Sequence, residues 1–304
     1  MDTFENAYHT PVMLQECITA LNIKPDGVYV DCTFGGGGHS RAILKQLGSG
    51  GKLIAFDQDA DAKKNLPDDE RVLFIPQNFR YIQRFLRANG VDKVDGILAD
   101  LGVSSFQFDE AERGFSIRFD APMDMRMDRR LKHTAYDVLM SKTEKELHKM
   151  FEQYGEVTNS KTLAHAIVQL RQKVSLKTTE GFKQALYDCV KGNPNKYFAQ
   201  VFQALRIEVN EEMLVLKEML EQSIPVLASE GRIAVITFHS IEDRIVKQFF
   251  KNETFEEEDD NPFVSKKQER QLNIITKKPL LPTSEEIKRN SRSRSAKLRV
   301  AEKK

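Results

Sequence analysis

Four consecutive glycines at positions 35–38 follow an apolar run that ends at Asp31 and Cys32. Glycine has no Cβ, so a backbone of glycines can turn sharply and lie close to a ligand. A helix that begins directly after such a turn points its first amide groups at that ligand. Asp57 closes the next apolar run, twenty residues beyond Gly37. This spacing suits a carboxylate that binds the two hydroxyls of a ribose, so the pattern predicts a site for an adenosine-containing cofactor.

Two common glycine loops fit this stretch poorly. The dinucleotide pattern requires a glycine or alanine where this chain has Ser40, with the bulky His39 beside it. The single Gly-Lys pair, at 51–52, lacks the Ser or Thr that completes a phosphate loop. The acid at Asp31 would repel a pyrophosphate but suits a ligand with a cationic or amino group. S-adenosylmethionine has a sulfonium and an ammonium and no phosphate, so it is the predicted cofactor, with Asp31 as one of its contacts.

A further acid, Asp100, ends the fourth apolar run and leads into a turn through Gly102, followed by Ser104. An amine that accepts a methyl group needs hydrogen-bond acceptors that draw on its N–H bonds and aim its lone pair at the methyl carbon. A carboxylate and turn carbonyls can do this, and positioning would supply most of the rate because a sulfonium is already a good leaving group. Asp100 and Ser104 are therefore the predicted catalytic residues. A helix-capping role is the alternative for Asp100.

Strands and helices alternate in the parts of the chain that must position these residues. The pattern of apolar and polar residues predicts strands at 28–32, 53–57, 72–76 and 96–100 and helices at 41–47 and 81–89. Such alternation indicates a parallel sheet, in which ligands gather at the carboxyl ends of the strands. After a helix-rich stretch, which includes segments at 134–154, 162–173 and 179–190, the alternation returns with a helix at 211–227, a strand at 232–238, a helix at 241–252 and strands at 272–276 and 297–301.

This organisation predicts an α/β fold with a Rossmann-like, doubly wound methyltransferase sheet. Residues 1–107 and 211–304 would form the cofactor-binding domain. Residues 108–210 would form an inserted helical domain that recognises the substrate. Within that insertion, Thr143 and Glu146 have the spacing of a capping box, which predicts a helix start.

The composition is that of an ordinary soluble globular protein, with 304 residues, 40% hydrophobic and 30% charged. The sequence has no apolar run of about 18 residues, so no membrane span is expected. The N-terminus does not resemble a secretion signal. Three scattered cysteines fit neither a disulfide framework nor a metal site, which favours a reduced, cytoplasmic compartment. No catalytic metal is expected.

The distribution of charge says more than the net charge of +1. An acidic run at 256–260 is interpreted as a solvated loop. The basic tail at 288–299 alternates Arg with Ser, and both residue types contact phosphate oxygens. Arg292 and Arg294 in this tail are therefore predicted to bind RNA, with a basic, frayed end as the alternative.

Two other places could face a polyanion. The stretch at 111–130 alternates Asp and Arg with Met. It is either a loop held by Asp–Arg pairs over packed methionines or a lid that carries arginines toward a polyanion, namely Arg113, Arg118, Arg126 and Arg129. Arg113 and Arg126 are the predicted RNA contacts. His239 stands at the end of the returning strand, on the side where ligands bind, and is also predicted to contact the substrate. A structural role is the alternative for this histidine.

The whole set of motifs resembles the bacterial ribosomal RNA small subunit methyltransferase H family, also called the MraW family. The resemblance runs from His9 to the end of the chain. Its motifs are VDCTFGGGGHS, AFDQD, DLGVSS-x-Q, ERGFS, PMDMRMD, FQALRIEVNEE, TFHSIEDRIVK and SRSAKLR. Two stretches of the insertion, YGEVTNSKTLAHAI and NPNKYFAQVFQALRI, depart from the usual pattern of the family, which leaves the docking of RNA less defined than the cofactor site.

The resemblance implies S-adenosylmethionine-dependent methylation of N4 of a cytidine in the decoding region of 16S ribosomal RNA. It implies 16S rRNA as partner, within the small ribosomal subunit, although the choice between naked rRNA and an assembled subunit stays open, as does a homodimer. The cofactor contacts that it implies are Gly37, Gly38, His39, Asp57, Phe79, Asp100 and Gln107.

Three other functions compete with this interpretation. A DNA or protein methyltransferase could share the fold, but DNA amino-methylating enzymes generally carry an Asp-Pro-Pro-Tyr-like turn where this chain has Asp100-Leu101-Gly102-Val103. A non-catalytic RNA-binding factor could retain a methyltransferase fold. An NAD-dependent oxidoreductase is disfavoured by Ser40 and by the lack of a second nucleotide-binding half.

Overall fold

The computed structural model describes residues 11–255 and 269–304. The acidic run at 256–260 lies outside the described residues. The chain divides into two units, one formed by Met1–Gly102 with Leu214–Lys304 and the other by Val103–Met213. Among the described residues, no helix is both long enough and apolar enough to cross a membrane.

A sheet forms the centre of the first unit, and seven strands belong to it within the described residues. Their order across the sheet is β3-β2-β1-β4-β5-β7-β6, and the first five run parallel. The strands are β1 (Val28–Asp31), β2 (Lys52–Phe56), β3 (Val72–Ile75), β4 (Val94–Asp100), β5 (Leu227–Thr237), β6 (Leu272–Ile274) and β7 (Lys297–Lys303). The central strands β1 and β4 are largely apolar and buried, as parallel strands covered by helices must be.

Helices of the first unit cover the sheet. They are α1 (Leu14–Leu21), α2 (Gly38–Gln46), α3 (Ile82–Ala88), α11 (Ser240–Asn252) and α12 (Ser284–Arg289), and α10 (Glu212–Val226) leads into the unit. One cluster of buried side chains joins α1 and α2 to β1, β5 and β7. This core holds α2 against the sheet.

The second unit is helical and has its own core. Its helices are α4 (Ser105–Asp109), α5 (Ala135–Ser141), α6 (Glu144–Gly155), α7 (Ser160–Leu170), α8 (Thr179–Ala185) and α9 (Pro194–Val209). Leu147, Phe151, Leu163 and Leu205 are fully buried in it. The capping box at Thr143 is present, because the Thr143 amide donates to Glu146 Oε2 at 2.8 Å and the Glu146 amide donates to Thr143 Oγ1. That prediction is confirmed.

The α/β fold class is confirmed, and most strand boundaries lie close to those predicted, although β5 begins at Leu227, five residues before its predicted start. Two other features differ. The segment at 134–154 is two helices, since α5 ends at Ser141 before the new cap at Thr143. The last sheet strand, β7, inserts antiparallel between β5 and β6, a pairing that the alternation of elements did not indicate.

Candidate cofactor and methyl-transfer site

The glycine loop at 35–38 joins β1 to α2. Gly37 has φ +73°, in the left-handed region that residues with a Cβ rarely adopt. A Cβ on Gly38 would overlap Cγ of Pro11, whereas a Cβ on Gly36 would meet no atom of the described residues within 4 Å. The loop is therefore packed against the protein at Gly38 and open at Gly36, as a turn that approaches a ligand requires.

Asp31 lies beneath this loop and does not face the opening. Its residue surface is only 1% exposed. Its Oδ1 accepts the amide N–H of Thr33 at 3.0 Å, and its Oδ2 accepts the hydroxyl of Ser40 at 2.7 Å. The carboxylate thus ties the end of β1 to the first turn of α2. In this conformation both oxygens are buried and accept hydrogen bonds inside the loop, so the direct contact of Asp31 with the cofactor stays a prediction that this conformation disfavours.

Asp57 follows β2 and supports the loop from the other side. Its Oδ2 accepts the amide N–H of Gly35 at 2.7 Å, and its Oδ1 accepts the amide N–H of Asp59 at 2.8 Å. Burial raises the pKa of the Asp57 carboxyl to about 7, while these two N–H groups oppose the rise. Each oxygen keeps a further lone pair, which is what binding to a ribose hydroxyl would need. The assignment of Asp57 as a cofactor contact stays a prediction.

Phe79 lies at the carboxyl end of β3, in a turn that is fixed to the end of β2. The Asn78 side-chain amide donates to Gln58 Oε1 at 2.7 Å, and Asn78 Oδ1 accepts the amide of Arg80 at 2.9 Å. Arg80 in turn donates from Nε to Glu218 Oε2 at 2.6 Å. Phe79 is half-buried, so part of its ring remains open to a ligand. Its place next to the loop that carries Asp57 fits an aromatic wall against adenine.

His39, in the first turn of α2, links the glycine loop to Asp100. The ring is 6% exposed, and its Nε2 lies 3.0 Å from the carbonyl oxygen of Val12. Its Nδ1 lies 3.8 Å from Asp100 Oδ2. Since a carbonyl oxygen only accepts, Nε2 carries a hydrogen and the Nδ1 side of the ring faces the carboxyl.

Asp100 ends β4 with a carboxyl group that is largely buried. Its amide donates to Thr33 Oγ1 at 2.8 Å, so its backbone is fixed to the neighbouring loop. Among the described residues, no group hydrogen-bonds to its buried Oδ1. Burial raises the pKa of this carboxyl to about 6, and the nearby His39 opposes the rise. A buried acceptor without a partner is costly and is therefore a candidate for a ligand that donates an N–H.

Ser104 and Gln107 belong to the second unit. They form a capping box at the start of α4, in which the Ser104 amide donates to Gln107 Oε1 at 3.1 Å and the Gln107 amide donates to Ser104 Oγ at 3.2 Å. Gln107 is 6% exposed. Each side chain thus has a structural partner within its own unit. The catalytic role of Ser104 and the cofactor contact of Gln107 stay predictions.

The stretch at 111–130 is held by its own ion pairs and buried methionines. Arg126 donates from Nε and Nη2 to the two carboxylate oxygens of Asp124, at 2.7 and 2.8 Å. Arg113 is 3% exposed and donates from Nη2 to the carbonyls of Arg126 and Met127. Met123 and Met125 are buried beneath. The structure favours the loop over the lid here: a buried Arg113 cannot meet phosphates without a rearrangement, so the predicted RNA contact at Arg113 is wrong for this conformation. The RNA contact of Arg126 stays a prediction.

His239 caps α11 at the end of β5. Its Nδ1 accepts the amide N–H of Glu242 at 3.4 Å, and Glu242 Oε2 accepts the amide N–H of Phe238 at 2.7 Å. Its Nε2 lies 3.1 Å from Glu242 Oε1 but is not aligned as a hydrogen bond to any described residue. Since the side chain is only 10% exposed, the structure gives His239 a capping role, and its contact with the substrate stays a prediction.

The predicted RNA-binding arginines of the tail lie on the surface. Arg292 and Arg294 are both exposed, in the short turn Ser291–Ser295 between α12 and β7. Their placement suits contact with a polyanion, which stays a prediction. No group of three or more metal-ligating side chains with the geometry of a metal site occurs in the part of the chain that the structure describes.

A doubly wound sheet with a glycine loop after β1, an acid after β2 and an acid at the end of β4 defines a Rossmann-like methyltransferase. The chain belongs to the MraW methylase family, whose sequence profile matches residues 6–304. This family uses S-adenosylmethionine, so the predicted cofactor is confirmed.

Two relatives of similar sequence agree with this assignment. The chain is 54% identical over 293 residues to "Ribosomal RNA small subunit methyltransferase H" of Flavobacterium psychrophilum, covering 96% of this chain and 100% of the relative. It is 52% identical over 305 residues to the protein of the same name from Cytophaga hutchinsonii, covering 97% and 99%. Among solved structures, it is similar to an rRNA methylase from Streptococcus thermophilus, with 12% identity, 97% of each chain covered and a TM-score of 0.40.

Proposed function

We propose that this protein transfers a methyl group from S-adenosylmethionine to N4 of a cytidine in the decoding region of 16S ribosomal RNA. The observation that supports this most directly is that the buried Oδ1 of Asp100 has no hydrogen-bond partner among the described residues. An exocyclic amine supplies the N–H donor that this oxygen lacks. The names of the relatives support an rRNA of the small subunit as the substrate.

The residues around the glycine loop fit this cofactor. Gly36 leaves space for close approach, Asp57 offers an acceptor on each oxygen for the ribose hydroxyls, and Phe79 offers a ring face for adenine. The carboxyl groups of Asp31, Asp57 and Asp100 give the loop a negative environment. This favours a cationic ligand and disfavours a pyrophosphate, which counts against an NAD-dependent oxidoreductase.

Methyl transfer requires little of the protein except that it positions the amine and the methyl group. When bound, S-adenosylmethionine supplies an electrophilic methyl group on a sulfonium that is a good leaving group. Asp100 accepts an N–H of the amine and so orients the nitrogen lone pair toward the incoming carbon. With a pKa of about 6, the Asp100 carboxyl is ionised at pH 7.5 and can take the proton that the methylated nitrogen loses.

The target base must leave its stack to reach this carboxylate, which costs a few kcal/mol. Single-stranded or splayed RNA lowers that cost, and the decoding region would have to present the cytidine in such a form. The exposed Arg292 and Arg294 would hold phosphates of the same RNA. Binding should therefore weaken steeply as salt is raised.

The direct test is transfer of labelled methyl groups to three substrates: small subunits that lack the modification, naked 16S rRNA and large subunits. Asp100→Asn serves as the matched inactive control, because it keeps the shape of the side chain. We expect label in the small-subunit samples with the wild type and at least about a hundredfold less with the variant. Equal label with Asp100→Asn would contradict the role of Asp100, and label confined to protein or to large-subunit rRNA would contradict the substrate.

A further inference from the structure

Glu286 and Met13 form a buried hydrogen bond between residues that are far apart in the chain. The amide N–H of Met13 donates to Glu286 Oε1 at 2.7 Å, across 273 positions of sequence. Met13 is 0% exposed and Glu286 8%. The loss of this bond would leave the amide of Met13 buried without a partner.

Met13 needs this partner because its backbone is strained. It has φ 51° and ψ 40°, in the left-handed region, and it immediately precedes α1 without any side-chain cap. A residue with a long side chain adopts this conformation only where the surroundings impose it. The bond from Glu286, together with the complete burial of the Met13 side chain, supplies that constraint.

The position of Glu286 in its own helix shows that its carboxylate is diverted from the usual role. Thr283 caps α12 by accepting the Glu286 amide at 3.1 Å. A glutamate at the third helical position after such a threonine commonly folds back onto the cap amide, as Glu146 does with Thr143. Glu286 departs from this pattern, because its Oε1 accepts the amide N–H of Met13 instead.

The segment that Glu286 holds is in direct contact with the glycine loop. The carbonyl oxygen of Val12 lies 3.0 Å from His39 Nε2, and both residues are buried. The ring of Pro11 fills the space where a Cβ of Gly38 would be. On its other side, the His39 ring presents Nδ1 to Asp100 Oδ2 at 3.8 Å. A continuous path therefore leads from α12 to the acceptor carboxyl of β4.

We propose that Glu286 is a positioning residue for the methyl-transfer site. By holding the amide of Met13 it fixes the carbonyl of Val12, which sets the orientation of the His39 ring between the glycine loop and Asp100. The inference rests on the proposed function only for the reaction that the site performs. The mechanical link from Glu286 to His39 stands on the contacts themselves.

Two conservative variants separate the effect of the length of the Glu286 side chain from the effect of its charge. Glu286→Gln keeps the length and the acceptor oxygen but removes the charge. Glu286→Asp keeps the charge but is one methylene too short to reach Met13. Glu253→Ala is the matched control, since Glu253 also accepts two backbone amides, those of Gln271 and Leu272, in the same unit and outside the site.

Two readouts are measured on the full-length protein. Binding of S-adenosylhomocysteine is measured by calorimetry, without any need for turnover. The tautomer of His39 is read from ¹⁵N spectra of the histidine rings, with His39→Gln for assignment. We expect Glu286→Gln and Glu253→Ala to stay close to wild type in both. We expect Glu286→Asp to weaken binding about tenfold and to lose the protected Nε2–H signal of His39.

The outcomes are distinct. Unchanged binding and an unchanged His39 signal in folded Glu286→Asp would overturn the proposal. A loss of binding in Glu286→Gln as large as in Glu286→Asp would show that the charge of Glu286 matters rather than its length. This result would overturn the proposal as well. If Glu286→Asp does not fold, a tenfold loss in Glu286→Gln alone refutes it. If binding and the His39 signal follow the expected pattern but no rRNA is methylated, the proposed function fails while the positioning role stands.

Discussion

Replacing Asp100 with Asn should make the protein more stable and nearly inactive at the same time. The substitution keeps the shape of the side chain and removes a charge that is expensive to bury. No hydrogen bond to a described residue is lost at Oδ1, because that oxygen has none. The amide contact of Asp100 with Thr33 belongs to the backbone and remains.

The magnitude follows from the pKa. Burial raises the pKa of Asp100 from its ordinary value of 3.8 to about 6 in the folded protein. The folded state therefore binds this proton more tightly, so the contribution of Asp100 to stability falls as pH rises from about 4 to about 6 and is constant above. The buried charge of Asp100 therefore lowers the free energy of unfolding by about 3 kcal/mol at pH 8, and about half of this loss is already present at pH 5. The stability gap between variant and wild type should then grow by about 1.4 kcal/mol between these pH values.

Urea unfolding of both proteins at pH 5 and pH 8, followed by circular dichroism, measures this gap. The change in the gap is the useful quantity, because any constant effect of Asn cancels. Methyl transfer by the same samples should fall at least about a hundredfold. A gap that is the same at both pH values would refute the argument that the Asp100 carboxyl is desolvated, and undiminished methyl transfer would refute its role as acceptor.

Other predictions follow from the same geometry. Gly38→Ala should lower the free energy of unfolding by about 1–3 kcal/mol because its Cβ overlaps Pro11, while the matched Gly36→Ala should change it by less than about 0.5 kcal/mol; equal effects in thermal melts would contradict the packing. Asp57→Ala should weaken binding of S-adenosylhomocysteine by about ten- to a hundredfold through loss of the support of Gly35 and of the ribose acceptors, and calorimetry showing unchanged affinity would count against that role. Arg294→Gln should reduce the slope of log affinity for rRNA against log salt by about 1, and an unchanged slope in filter binding would remove Arg294 from the interface.

The sequence predicted the parts of the site that depend on local signals. The glycine loop, the acid after β2 and the acid at the end of β4 are each marked by an apolar run and a change of residue type. The same signals predicted all five parallel strands, although β5 begins five residues before its predicted start. The antiparallel insertion of β7 was not predicted, because the direction of a strand is decided by long-range pairing with β5 and not by its own residues.

Residues whose roles depend on distant partners were assigned less well. Asp31 and Arg113 have the residue types of ligand-binding groups, but tertiary packing buries both and gives them partners within the protein. Glu286 was missed because its partner, Met13, is 273 positions away. The Thr283–Glu286 spacing signals only a helix cap, and no local pattern shows that the carboxylate is directed elsewhere.

The most direct test of the central claim is nucleoside analysis of 16S rRNA after methyl transfer with labelled S-adenosylmethionine. Small subunits that lack the modification would be treated with the wild-type protein, and their rRNA digested to nucleosides. We expect label in N4-methylated cytidine from the decoding region. Label in any other nucleoside, or no label from a protein that binds S-adenosylhomocysteine normally, would contradict it.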